Sequence, residues 1–418
     1  MNAEILATGD EIRTGALVDS NSAHIAEVLT MHGLEITRHS AVGDNLNELK
    51  AILLEIAGRA DVAIVTGGLG PTQDDLTAEA IARAAGCELQ LNDLAMETVT
   101  RFFRERQRTM TASNRKQACL PQNAEVLDNP VGTAPGFVLK IDKCTFFCLP
   151  GVPYEMKKML NDQVLPRVAA LSGGVRNYCR VHTLATFGFP ESAVGEKLAG
   201  LETLFPDITV GLRAKFPEIQ VKLYWTGSDE TQGLQVLEAS GKWVAEQMGD
   251  RLFSTGGQTM AAVVGDLLIA RDASLAVAES CTGGLISNWL TNTPGSSNYF
   301  LMSAVTYANS AKMDILGVSS DTLNSVGAVH EKTAEEMACG ARRAAGADFG
   351  LATTGIAGPH GGTEEKPVGT VCIAVTGPEQ TLSKRYLFTF GRRLMNKRIF
   401  AMAALDMLRR ALLNLPAL

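Results

Sequence analysis

Twice in this chain a short apolar run ends directly in a cluster of small residues, and a helical pattern follows at once. Val62–Val65 runs into Gly67-Gly68-Leu69-Gly70-Pro71, ahead of a helical stretch over Thr77–Ala85 that Gly86 closes. Ser274–Ala278 runs into the turn Glu279–Gly284, ahead of a helix that begins at Leu285. A strand apolar along its whole length is buried on both faces, as in a parallel sheet covered by helices. Glycines after such a strand let the backbone approach a ligand closely. In open α/β sheets ligands bind outside the carboxyl ends of the strands. Two ligand sites are therefore expected, one per turn.

The rest of the chain fits around these two units. Before the first turn, helical spacing over Ser22–Met31, a strand over Leu34–Val42 and a helix over Leu46–Ala57 predict a largely parallel sheet with helices on both faces. From about Val175 the pattern changes to alternating strands (Arg180–Phe187, Thr209–Lys215, Gln220–Thr226) and a helix over Glu230–Met248. Ser254-Thr255-Gly256-Gly257 reads as a linker. The expected fold is multidomain α/β: two α/β/α sandwich domains, 1–172 and 256–418, with a small α+β module, 173–255, between them. A length of 418 residues exceeds one ordinary core.

Composition excludes several classes. A net charge of −7 argues against a nucleic-acid protein, whose affinity comes from neutralising phosphates. No run is long enough to span a bilayer and no secretion signal is visible, so a cytoplasmic protein without membrane contact is expected. The eight cysteines are scattered and read as buried reduced thiols rather than a metal site or disulfides.

The first turn continues into Thr72-Gln73-Asp74-Asp75. Backbone N–H groups at a helix start attract phosphate, and two adjacent carboxylates beside them suit Mg²⁺, which shares its shell with substrate phosphates. Asp74 and Asp75 serve equally well as helix-capping residues, so the turn alone leaves both readings open. Its spacing matches neither the P-loop nor the Rossmann fingerprint. Asn114-Arg115-Lys116-Gln117 adds cationic and amide donors, Asn129–Gly136 is a second glycine-proline loop, and Leu149–Lys157 is a further strand-to-helix turn. Asp10, Glu11 and Glu155 are weaker metal candidates than the aspartate pair.

In the second turn, Ser280 stands at a strand end with backbone N–H groups nearby, the setting of a nucleophile. Ser280 and Thr282 could as readily cap the helix or bind a phosphate. A serine needs a base; His330 and His360 lack a triad setting, whereas Tyr307 and Lys312 follow an apolar strand, and a lysine can serve when burial lowers its pKa and leaves the amine neutral.

Gly9-Asp10-Glu11 with Asp19-Ser20-Asn21, the loop Gly67–Asp75, Asn114–Gln117 and Pro150–Met156 together resemble the N-terminal, molybdopterin-binding-type domain of the CinA (competence/damage-inducible) family. Thr183–Pro190, Gly211–Lys215 and Val221–Trp225 resemble its KH-like domain, although no Gly-x-x-Gly clamp occurs between Val175 and Gly257, which makes this a spacer or oligomerisation module. Ser280–Gly284, Tyr307-x-Asn309-x-x-Lys312 and Thr353–Pro359 resemble its C-terminal domain, itself similar to the nicotinamide-nucleotide amidases.

The resemblance implies two activities in pyridine-nucleotide salvage. At the C-terminal site nicotinamide mononucleotide would be hydrolysed, without a cofactor, by Ser280, Lys312 and Tyr307. Backbone at Thr282, Gly283 and Gly284 would stabilise the oxyanion; Asn309, Thr354, Gly355, Ile356, Ala357, Gly358 and Arg392 would bind substrate. At the N-terminal site ADP-ribose would be cleaved with a divalent metal, Mg²⁺ or another, on Asp74 and Asp75. Gly67, Gly68, Gly70, Thr72, Asn114, Lys116, Gln117 and Gly132 would hold the nucleotide. A homodimer is expected. Two alternatives stay open: the pyrophosphatase as main activity, or a non-catalytic nucleotide-binding adaptor in competence or recombination.

Overall fold

The structure is a computed structural model that describes residues 1–171 and 178–416. The expected junction at 172/173 lies outside the described residues. The chain divides into two compact units, Met1–Arg180 with Trp225–Leu234, and Val181–Tyr224 with Gln235–Leu418. The fold is multidomain α/β, as the alternating patterns predict.

The N-terminal sheet uses β1 (Asn2–Thr8), β2 (Glu35–Val42), β3 (Val62–Thr66), β6 (Glu125–Leu127), β7 (Gly136–Ile141) and β8 (Cys144–Leu149), with β4 (Leu89–Leu91) and β5 (Cys119–Pro121) forming a separate antiparallel pair. Strand order is β2-β1-β3-β8-β7-β6. The first four are parallel, and β7 and β6 add an antiparallel edge. Side chains alternate between the faces of β3. Ala63 and Val65 join the core beneath the helices Leu46–Arg59 and Thr77–Ala85, and Val62 and Ile64 join the core beneath Ser20–Met31 and Pro153–Met159. Cys144 and Cys148, four apart on one strand, fall in the same core, and burial pushes the Cys144 thiol up to about 12. All eight thiols are free.

The middle module is a sheet of β9 (Tyr178–Phe187), β10 (Ile208–Lys215), β11 (Glu218–Gly227) and β12 (Leu252–Ser254) in the order β10-β11-β9-β12, with the helix Glu230–Met248. The expected linker is an ordered turn. Ser254 ends β12, and its hydroxyl accepts from the backbone N–H of Gln258 at 2.9 Å and of Gly256 at 3.3 Å.

The C-terminal sheet runs β14-β13-β15-β16-β17, from β13 (Leu275–Glu279), β14 (Phe300–Val305), β15 (Phe349–Gly355), β16 (Thr370–Thr376) and β17 (Thr381–Leu387). β13 pairs in parallel with β14 and β15, while β16 and β17 are antiparallel. Leu275 and Val277 face the helices Met260–Ile269 and Arg393–Leu412. Ala276 and Ala278 face the helix Glu331–Ala345, which lies so close that a Cβ on Gly350 would stand 2.2 Å from the Ala338 carbonyl oxygen. Small residues on that face permit the approach, and the large ones opposite supply about 1.5–3 kcal/mol each by burial. The all-buried strands β3 and β13 thus sit in sheet interiors, flanked on both sides, with their carboxyl ends at a turn. Among the described residues, no helix is long and apolar enough to cross a membrane.

Candidate functional site

At the end of β13 the ladder continues one residue further, because the Ser280 N–H donates to Thr353 O at 3.0 Å. The chain then turns through Gly283 (φ 59°) and Gly284 (φ 86°), left-handed conformations that favour glycine, into the helix Leu285–Thr291. The cap of that helix comes from an unforeseen residue. The fully buried Glu279 carboxylate accepts from the N–H groups of Ile286 (3.2 Å) and Ser287 (2.9 Å), and from the Ser287 hydroxyl at 2.5 Å. Helix capping is therefore not the work of Ser280 or Thr282. The Thr282 hydroxyl pairs instead with that of Thr353 at 2.8 Å, deep in the core.

Ser280 meets Lys312. The helix Asn309–Leu316 carries Lys312 inward until it is 1% exposed, with its amine 3.1 Å from Ser280 Oγ. The same nitrogen donates to the carbonyls of Thr306 (2.8 Å) and Tyr307 (3.2 Å). Among the described residues no carboxylate forms an ion pair with it. Burial holds the Lys312 amine below its ordinary value of 10.5, since desolvation disfavours the ammonium. A neutral amine has two hydrogens for the two carbonyls and one lone pair for the serine hydroxyl. The same three oxygens would satisfy an ammonium, and it is burial that tilts the group toward the neutral form.

A cavity of about 270 Å³ opens at this pair, lined among others by Tyr307, Asn309, Thr354, His360 and Arg393. Tyr307 touches Lys312 through its backbone carbonyl, whereas its exposed phenol oxygen accepts from Arg393 Nη2 at 3.1 Å. The other Arg393 terminal nitrogen donates to Gly358 O at 2.7 Å. Arg392, the expected cation, precedes the helix Arg393–Leu412 as its N-cap and is absent from the cavity wall; the next residue takes that place. Only a side chain that has entered the helix is turned toward the Gly355–Gly358 loop, and the doublet Arg392-Arg393 carries no sign of where the helix begins.

Two of the expected backbone donors are engaged within the protein. The Gly283 N–H closes the turn on Ser280 O at 3.2 Å, and the cavity wall at this loop is Ser280 and Cys281 rather than Thr282–Gly284. Ile356 has its N–H on Thr370 O and its carbonyl on the Gly369 N–H, both at 2.8 Å, so it has no backbone donor for a ligand. Gly355, Ile356, Ala357 and Gly358 all line the cavity, the last two tied through their carbonyls to Asn396 and Arg393. The Thr354 hydroxyl holds Ala328 O at 2.7 Å. His330 caps the helix Glu331–Ala345 through Nδ1, which accepts from the Lys332 N–H.

The N-terminal turn encloses a larger cavity, about 410 Å³. Gly67 stands against Thr8, where a Cβ would lie 2.6 Å from the Thr8 carbonyl oxygen, and Thr77 pins the turn by donating to Gly67 O at 2.8 Å. Gly67, Gly68, Gly70, Asp74, Asp75 and Gln117 line the cavity, but Thr72, Asn114, Lys116 and Gly132 do not. These four build the wall from behind. Lys116 donates to Thr72 O, Asn114 to the Gln117 side chain at 3.1 Å, and the Gly132 N–H to the Asn129 side chain at 2.9 Å. Gly132 leaves room for the Glu155 carboxylate, which accepts from Asn129 Nδ2 at 2.7 Å and is raised in pKa by burial.

The aspartate pair separates into two roles. One Asp75 carboxylate oxygen accepts from both the N–H (2.8 Å) and the hydroxyl of Thr72, folded over Gly70 where any Cβ would collide with it. Asp75 therefore shapes the loop. Asp74 is exposed to solvent and lines the cavity. Asp10 pairs with Arg13 outside the cavity, whereas Glu11, Asp19, Asp44 and Glu155 join Asp74 and Asp75 in lining it. Burial raises the Asp44 pKa, and Asp10, Glu11 and Asp74 add like charge to it. No lysine, arginine or histidine is among the described lining residues. A polyphosphate would be repelled from this wall unless divalent cations came with it, and carboxylates are the oxygen donors such an ion takes. Among the described residues no preformed cluster of three or more ligands exists.

Comparison with known proteins bears on all three parts of the chain. Residues 4–170 match the probable molybdopterin binding domain, 181–254 the damage-inducible protein CinA KH domain, and 257–412 the CinA C-terminal domain. A CinA-like protein of Desulfosudis oleivorans is 51% identical over 413 residues, which cover 99% of this chain and 100% of that one. A CinA-like protein of Geobacter metallireducens is 45% identical over 414 residues, covering 99% and 100%. Among solved structures, the protein CinA of Thermoplasma acidophilum is 34% identical with a TM-score of 0.37, covering 38% of this chain and 95% of that one.

Proposed function

This chain belongs to the family of CinA-like proteins, and from that premise we propose that its C-terminal domain hydrolyses the carboxamide of nicotinamide mononucleotide to nicotinate mononucleotide and ammonia. The observation that carries the reading is the buried Lys312 amine 3.1 Å from Ser280 Oγ, with the Thr306 and Tyr307 carbonyls as its other partners and, among the described residues, no carboxylate in an ion pair with it.

Ser280 Oγ attacks the amide carbon as its proton passes to Lys312. The backbone N–H at Cys281, on the cavity wall, is the candidate donor to the tetrahedral oxyanion. The Lys312 ammonium then protonates the departing nitrogen, ammonia leaves, and the nicotinoyl ester remains on Ser280. Water attacks that ester, gives its proton to Lys312, and the carboxylate departs as Ser280 recovers its hydrogen. Tyr307 fixes Lys312 through its carbonyl and Arg393 through its hydroxyl, so its part is positioning. Arg393 presents its remaining guanidinium hydrogens to the substrate phosphate. Ammonia release from nicotinamide mononucleotide without added metal tests the reading; unchanged turnover in Ser280→Ala overturns it.

The acidic N-terminal cavity favours a second reaction, cleavage of the ADP-ribose pyrophosphate with a divalent ion. Such an ion supplies charge neutralisation for the phosphates and a more acidic water. Asp74 and Asp44 are the side chains that would hold it, and Glu155, protonated more readily than an ordinary carboxyl, is placed to move a proton. Chelation by EDTA should stop this cleavage and spare the amidase.

A further inference from the structure

The middle module lacks the backbone clamp of a nucleic-acid KH domain, yet it is packed firmly onto the C-terminal domain. Ala185, Phe187 and Phe253 belong to the same buried core as Phe400 and Leu405. Arg410 Nη1 lies 2.8 Å from Asp250 Oδ2, and Arg409 Nη2 donates to Asp250 O at 2.9 Å. From this fixed base the turn between β10 and β11 extends one aromatic ring, Phe216. Its ring centre is 4.9 Å from that of Phe390, and the planes cross at 76° in an edge-to-face contact. The turn is braced by an ion pair between Lys215 and Glu218 at 3.1 Å.

Phe390 sits in the strap 388–392, which links β17 to the helix Arg393–Leu412. The strap is held at its start, where the Phe388 N–H donates to Gly369 O at 2.9 Å and the Phe388 ring stacks on Tyr386. At its end stands Arg393, bound to Gly358 O and to the Tyr307 hydroxyl in the wall of the cavity. Between those points Gly391 and Arg392 are exposed. Phe390 is thus the last anchored side chain before the cation of the site, and a ring from another module holds it.

We propose that Phe216 is a positioning residue for nucleotide binding at the Ser280 cavity. It pins the strap through Phe390 and so delivers Arg393 to the wall, which makes the middle module part of the substrate site. The functional half of this inference rests on the amidase reading above; the anchoring half does not.

The test uses the full chain with Phe216→Ala and Phe216→Tyr, read by hydrogen exchange of residues 388–393 and by nicotinamide mononucleotide kinetics. In Phe216→Ala, exchange in the strap accelerates and KM rises about 3- to 10-fold, the range an aromatic pair commands, while kcat stays within about twofold. Phe216→Tyr keeps the ring and behaves as the parent. Arg393→Ala raises KM by itself, and adding Phe216→Ala raises it little further, because both act through one contact. Unchanged strap exchange in Phe216→Ala overturns the inference, as does faster exchange with KM unaltered or fully additive effects. If the parent protein releases no ammonia, the amidase reading and the claim about KM fall together, and strap exchange alone decides the anchoring.

Discussion

The Lys312 amine lies 3.1 Å from the Ser280 hydroxyl, with Thr306 O and Tyr307 O as its other partners. This arrangement makes the amine a base only when it is uncharged, and burial pushes it that way.

Amidase kcat/KM should therefore rise with pH along a single limb whose midpoint lies below the ordinary lysine value of 10.5. Stability follows the same group. The native state holds this proton less tightly than the unfolded chain, so the unfolded chain binds more protons between the lowered native value and 10.5, and stability increases with pH across that window. Below it both states are protonated and the native state bears the desolvation of the ammonium. Urea unfolding over a pH series checks the sign, and Lys312→Met should flatten this contribution.

Ser280→Ala should lower kcat by about 10⁴-fold or more while leaving the thermal midpoint nearly unchanged, since its backbone pairing to Thr353 is kept. Steady-state ammonia release and a melting curve measure both.

Glu279→Ala should destabilise the C-terminal domain by about 1–3 kcal/mol, because buried N–H groups at Ile286 and Ser287 lose their acceptor. Glu279→Gln keeps one acceptor oxygen and should lose less. Chemical denaturation of both variants reads the difference, and kcat should fall with the displaced Ser280.

The adjacent arginines should separate cleanly. Arg393→Ala should raise KM for nicotinamide mononucleotide by about tenfold, as expected for loss of hydrogen bonds to a charged group, and Arg392→Ala should leave it close to the parent value.

At the other site, Asp74→Asn should reduce metal-dependent ADP-ribose cleavage without altering hydrogen exchange of the loop. Asp75→Ala should accelerate exchange over residues 70–76, because the Thr72 N–H loses its acceptor. Equal behaviour of the two variants would contradict the division of roles drawn here.

Much of the architecture was legible because periodicity depends on neighbours along the chain. The helix Thr77–Ala85 has the expected bounds and ends at the left-handed Gly86, and Glu230–Met248 likewise has its expected bounds. The antiparallel edge of β6 and β7 was not legible, nor was the helix Asp93–Glu105, since short strands and mixed faces carry weak periodic signals. Ser280 began as an equally good helix cap. Glu279 removed that alternative, and its signal, a carboxylate at the end of an all-apolar strand, was present in the sequence.

By itself the sequence determined that two buried strands end in ligand-sized turns, and that Ser280, Tyr307 and Lys312 travel together in one domain. Those are matters of composition and spacing. Tertiary structure alone decided which atoms meet: that Lys312 reaches Ser280 with two carbonyls as its other partners, that Arg393 rather than Arg392 faces the cavity, and that Asp75 turns back on Thr72 while Asp74 stays exposed. Each of these depends on burial and on angles set by distant segments, and a hydrogen bond over a few ångströms is blind to distance along the chain.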